Sequence, residues 1–233
     1  MKNPNPAQPT GWLRELAEWG KALFVAVMVT AFILLFVVQV IMVKGSSMEP
    51  NFYTYERVIC EKISYRLGSP QRGEVIICTY YKGLNAKGNQ AVQAAEAAGK
   101  QVVFWPDVQE YHIDGKALSS SHYVKDRVIK RIVGLPGESV SIHGGVLQID
   151  GQPLDESAYW SGEIAGDMPN TLVPNDAYFV VGDNRNHSND SRNPAIASIP
   201  RSRIMGRVVF RIWPLRAWGG VSLARQGDNA PSQ

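Results

Sequence analysis

The sequence predicts a mainly β domain carried behind one N-terminal transmembrane helix. Three observations point to that class: one charge-free apolar run near the start, a succession of short β-branched and aromatic runs after it, and turn residues that bound those runs. The 233 residues include 21 Gly and 14 Pro, with 45% hydrophobic and 19% charged side chains. That balance suits one globular domain beyond the apolar run. A net charge of +3, with no basic block interleaved by aromatics, leaves no footprint for nucleic acid, and none is expected as a partner.

The apolar run is Ala22 to Val43, ALFVAVMVTAFILLFVVQVIMV, in which only Thr30 and Gln39 are clearly polar. As a helix, about 22 residues span roughly 33 Å, enough to cross the hydrocarbon core of a bilayer. Trp12 and Trp19 precede the run, and Lys21 and Lys44 bracket it, as interfacial anchors do. A cleavable signal peptide has an apolar core of only about 7–15 residues, so residues 22–43 read as a permanent anchor. Lys2, Arg14 and Lys21 before the run, against Lys44 and Arg57 after it, place residues 1–21 in the cytoplasm. Residues 44–223 then form an extracytoplasmic domain, and residues 224–233 read as a disordered tail.

Strands follow in order: ERVICEKI, GEVIICTY, KQVVFW, RVIKRIVG, ESVSIHGGVLQIDG, DAYFVVGD and GRVVFRIW, each bounded by Gly, Pro, Asn or Asp. Gly144-Gly145 and Asp150-Gly151 mark hairpin turns around VLQI. One helix is expected at Asn89 to Gly99, rich in Ala, Gln and Glu and closed by Gly, within a polar insertion at about 82–125. Cys60 and Cys78 both sit in apolar runs, which fits either a disulfide outside the cytoplasm or two buried thiols in neighbouring strands. Neither has metal-ligand spacing, and no metal site is expected.

Two polar interruptions carry chemistry. In RVIKRIVGLPGE, period-two alternation puts Val128, Lys130 and Ile132 on one face of a strand, with Lys130 its only charge. That pattern suits an edge lysine whose ammonium reaches water, and equally a lysine buried to act as a base. At an unperturbed pKa of about 10.4, only about one lysine in 2,500 is neutral at pH 7. Burial among aliphatic side chains lowers that pKa and makes a base available. In VKGSSMEPNF, Gly45 permits a backbone unavailable to other residues and Pro50 fixes the exit. By itself the stretch reads as a loop. Beside a base, a serine held there presents a nucleophile and an oxyanion donor together.

VKGSSMEPNF, RVIKRIVGLPGE and VVGDNRNHSNDSR (Val180 to Arg192), with the weaker PQRGEVIIC (Pro70 to Cys78), resemble the sequence boxes of bacterial type I signal peptidases. The order of the boxes matches, as does the anchor immediately before the serine. The resemblance implies the signal-peptidase (LexA-like) β fold and a Ser–Lys endopeptidase of the bacterial plasma membrane that cleaves signal peptides from exported preproteins, its partners being those preproteins and the bilayer. It implies Ser47, directly before Met48, as nucleophile and Lys130 as general base, with no metal or cofactor. It further implies that Ser188 orients the lysine and that Asp183, Arg185, Asp190 and Arg192 form a structural polar cluster in which Asp190 pairs with Arg192. Val43, Phe52 and Ile129 correspond to positions shaping shallow pockets for small side chains at −1 and −3 of the scissile bond. Where some members carry an oxyanion-hole hydroxyl, this chain has Gly45, leaving the donation to backbone N–H groups. The spacing between the lysine and GDNR motifs implies a small cap at about 139–175, and the insertion at 82–125 is longer than the family pattern.

Three other readings compete. His187 lies in sequence near Asp183, Ser188 and Asp190, which would suit a Ser–His–Asp hydrolase, but no GxSxG elbow is present. A catalytically inactive anchored protein that binds signal sequences would be expected to lack part of the serine–lysine set. A LexA-type regulator shares the Ser–Lys logic but not the apolar anchor. Trp213 and Trp218 in FRIWPLRAWGG read either as core residues or as indoles for a headgroup region.

Overall fold

A computed structural model of the chain describes residues 11–221; residues 1–10 and 222–233, which include the expected tail, lie outside the described residues. Helix α1 (Gly11–Phe32) runs into one π-helical turn at Ile33–Val37 and then gives way to strand β1 (Val38–Met42). This corrects the single helix expected over 22–43. Val38, Val40 and Ile41 are β-branched residues that suit a pleated strand. They pair antiparallel with β2 (Arg57–Glu61) in a register from Val38 opposite Glu61 to Met42 opposite Arg57. Inter-strand hydrogen bonds thus replace the last turns of helix. Among the described residues no helix is long and apolar enough to cross a membrane, because the first half of α1 carries Arg14, Glu15, Glu18 and Lys21. Strand β1 therefore lies between the helical run and Ser47.

The chain continues through a helical turn α2 (Ser64–Leu67), β3 (Val75–Leu84), α3 (Ala86–Ala97), β4 (Val102–Trp105), β5 (Glu110–Ile113), β6 (Lys116–Ala117) and β7 (Tyr123–Gly134). After these come β8 (Ser139–His143), β9 (Val146–Ile149), β10 (Gln152–Pro153), β11 (Met168–Leu172), β12 (Ala177–Val181), β13 (Ile199–Pro200), β14 (Ile204–Trp213) and β15 (Gly219–Gly220). The main sheet has the order β1-β2-β14-β3-β7-β12-β13, with β15 added to β14. Each expected strand run is present as strand, which places the chain in the mainly β class.

Strand alternation divides the core between the two faces of this sheet. Ile76, Cys78, Ile132 and Val180 pack on one face, while Val75, Ile77, Cys60 and Ile129 pack on the other. The two cysteines therefore lie in separate cores, and both are buried free thiols; the disulfide alternative does not hold. A third core joins Val133, Phe179 and Val181 to the cap, whose sheet runs β10-β9-β8-β11. Positive φ at Gly144 and Gly145, 56° and 77°, turns β8 into β9 as the paired glycines allow.

The insertion is ordered. Asn85 caps α3 by accepting from the Gly88 N–H, so the helix starts before the expected Asn89. Strands β4, β5 and β6 follow as a small antiparallel sheet. It is fastened to the main sheet by the Tyr111 N–H, which donates to the Tyr123 hydroxyl at 2.7 Å, and by Arg203, which lies over Tyr81 and 3.3 Å from Glu110.

Candidate active site

Lys130 projects from β7 into the core that holds Ile76 and Ile132, with Ile76 opposite it in the register. It is 3% exposed. Its Nζ lies 2.6 Å from Ser47 Oγ, and no carboxylate among the described residues forms a salt bridge with it. Burial pushes the Lys130 pKa below the ordinary lysine value; the charges of Asp190, Cys78 and Asp183 oppose that shift and Arg192 adds to it. Desolvation dominates because the ammonium has exchanged water for aliphatic neighbours and one hydroxyl.

Ser47 reaches this position from a turn gripped on both sides. Gly45 has φ +84°, a left-handed conformation suited to glycine. Met48 is fully buried beneath the serine and Phe52 is 2% exposed, its N–H donating to the Met48 carbonyl at 2.8 Å. From the opposite side, the Asn184 N–H donates to the Ser47 carbonyl at 3.0 Å and Asn184 Nδ2 donates to the Ser46 carbonyl at 3.2 Å. Ser47 N–H itself has no acceptor among the described residues and stands free to meet an oxyanion. Gly182 passes so close to the Ser47 carbonyl and Ser188 that a Cβ there would collide with both.

Behind the pair lies a network of buried charges. Asp183 accepts two 2.7 Å hydrogen bonds from Arg131 and one of 2.9 Å from Asn51 Nδ2. Arg185 donates to both oxygens of Glu156, at 2.7 and 2.6 Å, and to the Gly182 carbonyl. Asp190 receives Arg192 Nε at 2.8 Å and the Gly182 N–H at 2.9 Å. The Tyr159 ring lies against Arg131, its centroid 4.1 Å from the guanidinium carbon. Such fork-to-carboxylate contacts are among the stronger polar interactions available to a protein interior.

A groove of about 690 Å³ opens beside Ser47 and Lys130, lined on one side by residues 39–45 and on the other by residues 125–130. Among the described residues β1 pairs only with β2, and β12 pairs β7 only at Arg131 to Gly134, so both walls present unpaired strand edges. Val43 and Ile129 line the groove. Phe52 does not: the Met48–Phe52 turn rotates it into the core under the Arg211 guanidinium, 4.7 Å from its ring centroid, which corrects its expected place among the pocket residues. Ser188 Oγ is buried with no hydrogen-bond partner among the described residues, so the expected contact to Lys130 is not formed. His187 is exposed and its Nδ1 lies 3.2 Å from Asn184 Oδ1; no hydrogen bond joins it to Ser47. Trp213 and Trp218 are 52% and 60% exposed rather than core.

Sequence reasoning missed four participants: Arg131, Glu156, Asn184 and Asn51. Arg131 and Asn184 lay inside quoted motifs, where adjacency to Lys130 and to the GDNR glycine was an available signal. Asn51 lay inside VKGSSMEPNF without a signal of its own, and Glu156 sits in a polar loop that carries none.

The family model described as signal peptidase, peptidase S26, matches residues 16–213. A probable signal peptidase I-2 of Synechocystis sp. is 34% identical over 214 residues, covering 92% of this chain and 78% of that one. The signal peptidase I of Leptolyngbya laminosa is 31% identical over 218 residues, 92% of this chain and 90% of its own. That of Bacillus amyloliquefaciens is 30% identical over 206 residues, 84% and 85% of the two chains.

Proposed function

The chain belongs to the signal peptidase family, peptidase S26, and is an enzyme of the signal peptidase I type; from that premise we propose that Ser47 and Lys130 are its catalytic pair and that it removes signal peptides from exported preproteins at a membrane surface. The observation that carries this reading is the 2.6 Å contact between Ser47 Oγ and a lysine nitrogen withdrawn from water. A lysine with a lowered pKa spends more time neutral, and a neutral amine at that distance can take the serine proton as the oxygen attacks the carbonyl after the −1 residue. The proton then passes from Lys130 to the departing amine, the acyl group stays on Ser47, and Lys130 next draws a proton from the water that releases it. The free N–H of Ser47 suits the oxyanion of both tetrahedral intermediates. The unpaired edges of β1 and β7 suit an extended peptide that adds itself as a strand, with small side chains at −1 and −3 turned toward Val43 and Ile129. Ser188 Oγ is buried and unpartnered beside Gly182, which also abuts the Ser47 carbonyl; turned toward Lys130, it would hold the base.

Anchoring is supported by the helical run ahead of β1. Leu23, Phe24, Val27, Met28, Phe32 and Leu34 are all exposed on it, a larger apolar surface than a free-standing domain leaves to water. We place this run in the bilayer, with residues 1–21 on the cytoplasmic side and Trp213 and Trp218 toward the headgroups. The enzyme test uses the full chain in detergent or vesicles with a preprotein. Ser47→Ala and Lys130→Ala are each expected to lower cleavage by about 10²–10⁴-fold or more, with His187→Ala retaining it. Cleavage that survives Ser47→Ala, or that is lost only with His187→Ala, overturns the assignment.

A further inference from the structure

We propose that the insertion at 82–125 forms one wall of a second groove, which receives the first residues after the scissile bond, and that Lys82 and Asp126 at its mouth read their charge. This deepens the Ser47–Lys130 reading and rests on it. Two grooves meet at Ser47 and Lys130. The second, of about 580 Å³, is lined by Tyr81, Lys82, Gln109, Val128 and Ile196, among others, together with the catalytic pair. Its volume falls within the roughly 300–1,000 Å³ of ordinary ligand sites.

Strand alternation decides which part of a substrate each groove holds. Val128 and Lys130 point to one face of β7, and Ile129 points to the other. The first groove takes in Ile129, Ile77 and Val43, and the second takes in Tyr80 and Ile196 on the lysine's own face, while Asp126, Val128, Ser47 and Lys130 border both. The departing amine must collect its proton from Lys130 Nζ, so the segment that leaves lies on that face. The acyl portion is left with the first groove.

The insertion supplies the outer wall in a fixed position. Gln109 sits in the turn between β4 and β5 with φ 54°, and its Nε2 donates to the carbonyls of Pro106 and Pro194 at 3.0 and 2.9 Å. That amide ties the insertion to the loop following the GDNR motif. Lys82 Nζ lies 2.7 Å from Asp126 Oδ2, and their side chains are 59% and 48% exposed. Both remain accessible, so an acidic side chain entering the groove can share Lys82 and a basic one can share Asp126.

The test measures kcat/KM of the full chain on two peptide series. One varies +1 and +2 between acidic, neutral and basic residues; the other varies −1 and −3 only. Lys82→Glu puts two carboxylates at the mouth and is expected to shift the acidic-to-basic preference at +1 or +2 by about 3- to 5-fold toward basic residues. Lys82→Met should shift it by less in the same direction, and the −1 and −3 preferences should not move. The shift belongs to acylation, because the leaving segment is gone before deacylation. Equal responses in both series, or no response in the first, overturns the groove assignment. Ser47→Ala on the parent peptide separates the two claims: retained cleavage there refutes the catalytic pair, whatever the Lys82 variants do.

Discussion

Lys130 and Arg131 are neighbours on one strand, both bases and both 3% exposed, yet their surroundings are opposite. Arg131 faces the GDNR motif, where Asp183 meets it with two parallel hydrogen bonds and the Gly73 carbonyl takes another at 2.7 Å. Lys130 faces an aliphatic core and finds a single serine hydroxyl. One charge is buried and fully satisfied; the other is buried and deprived. The contrast separates the two purposes of buried charge. A satisfied ion holds the GDNR loop at the Ser47 turn, while a deprived one is pushed toward the neutral form that the proposed chemistry needs.

The largest expected effect tests the satisfied side. Asp183→Ala leaves the Arg131 guanidinium buried without its carboxylate and should lower unfolding free energy by about 3–5 kcal/mol, measured by urea denaturation. Loss below about 1 kcal/mol would place Arg131 with the weak surface pairs and dissolve the contrast.

On the deprived side, Lys130→Met removes a desolvated ammonium while nearly conserving its shape. Cleavage should vanish while stability near pH 6 rises by about 1–2 kcal/mol. A loss like that of Asp183→Ala would instead make Lys130 a structural residue. The pH dependence sharpens this further. The folded pKa of Lys130 is lowered by burial, so between it and the unfolded value of about 10.4 the unfolded chain binds more protons. The parent's stability should therefore climb with pH across that window, and its advantage-losing gap to Lys130→Met should close by the upper end. Denaturation curves at stepped pH read this directly. Cleavage should rise with pH through the same folded pKa as the base form appears.

The smallest effect concerns the thiols in the two cores. Burial pushes Cys60 and Cys78 up to about 12, so neither should react with a thiol reagent in the native state. Adding a reductant should leave Tm unchanged; a drop would mean that a bridge, and a different sheet, had been present.

How far this was legible in the sequence depends on the range of each contact. Lys130 stood out because a lone charge between Val128 and Ile132 breaks a local pattern, but it was the motif resemblance that separated a base from an edge lysine. Its sequence neighbour Arg131 alternates with Ile129 and Val133 on the strand's other face, and what buries it, Asp183, is 52 positions away. Hydrophobic periodicity located the strands but misjudged the end of the apolar run, since Val38 to Met42 suits a helix in lipid as readily as a strand beside β2. Phe52 was misplaced for a related reason: the sequence carries the turn after Met48 but not the direction it faces. The ordered sheet of the insertion and its contact with Pro194 needed the third dimension.

The strand that interrupts the apolar run also sets a distance. At about 3.3 Å per residue, the 5 residues of β1 carry the chain by up to about 17 Å beyond the helical run before the turn to Ser47 begins. With that run in the bilayer as proposed, the cutting edge stands off from the lipid by a length written into one strand. A substrate whose own apolar segment stays in the membrane must then offer an extended spacer of matching reach. β1 would act as a ruler, rejecting chains whose small residues lie too close to the lipid to arrive at the blade.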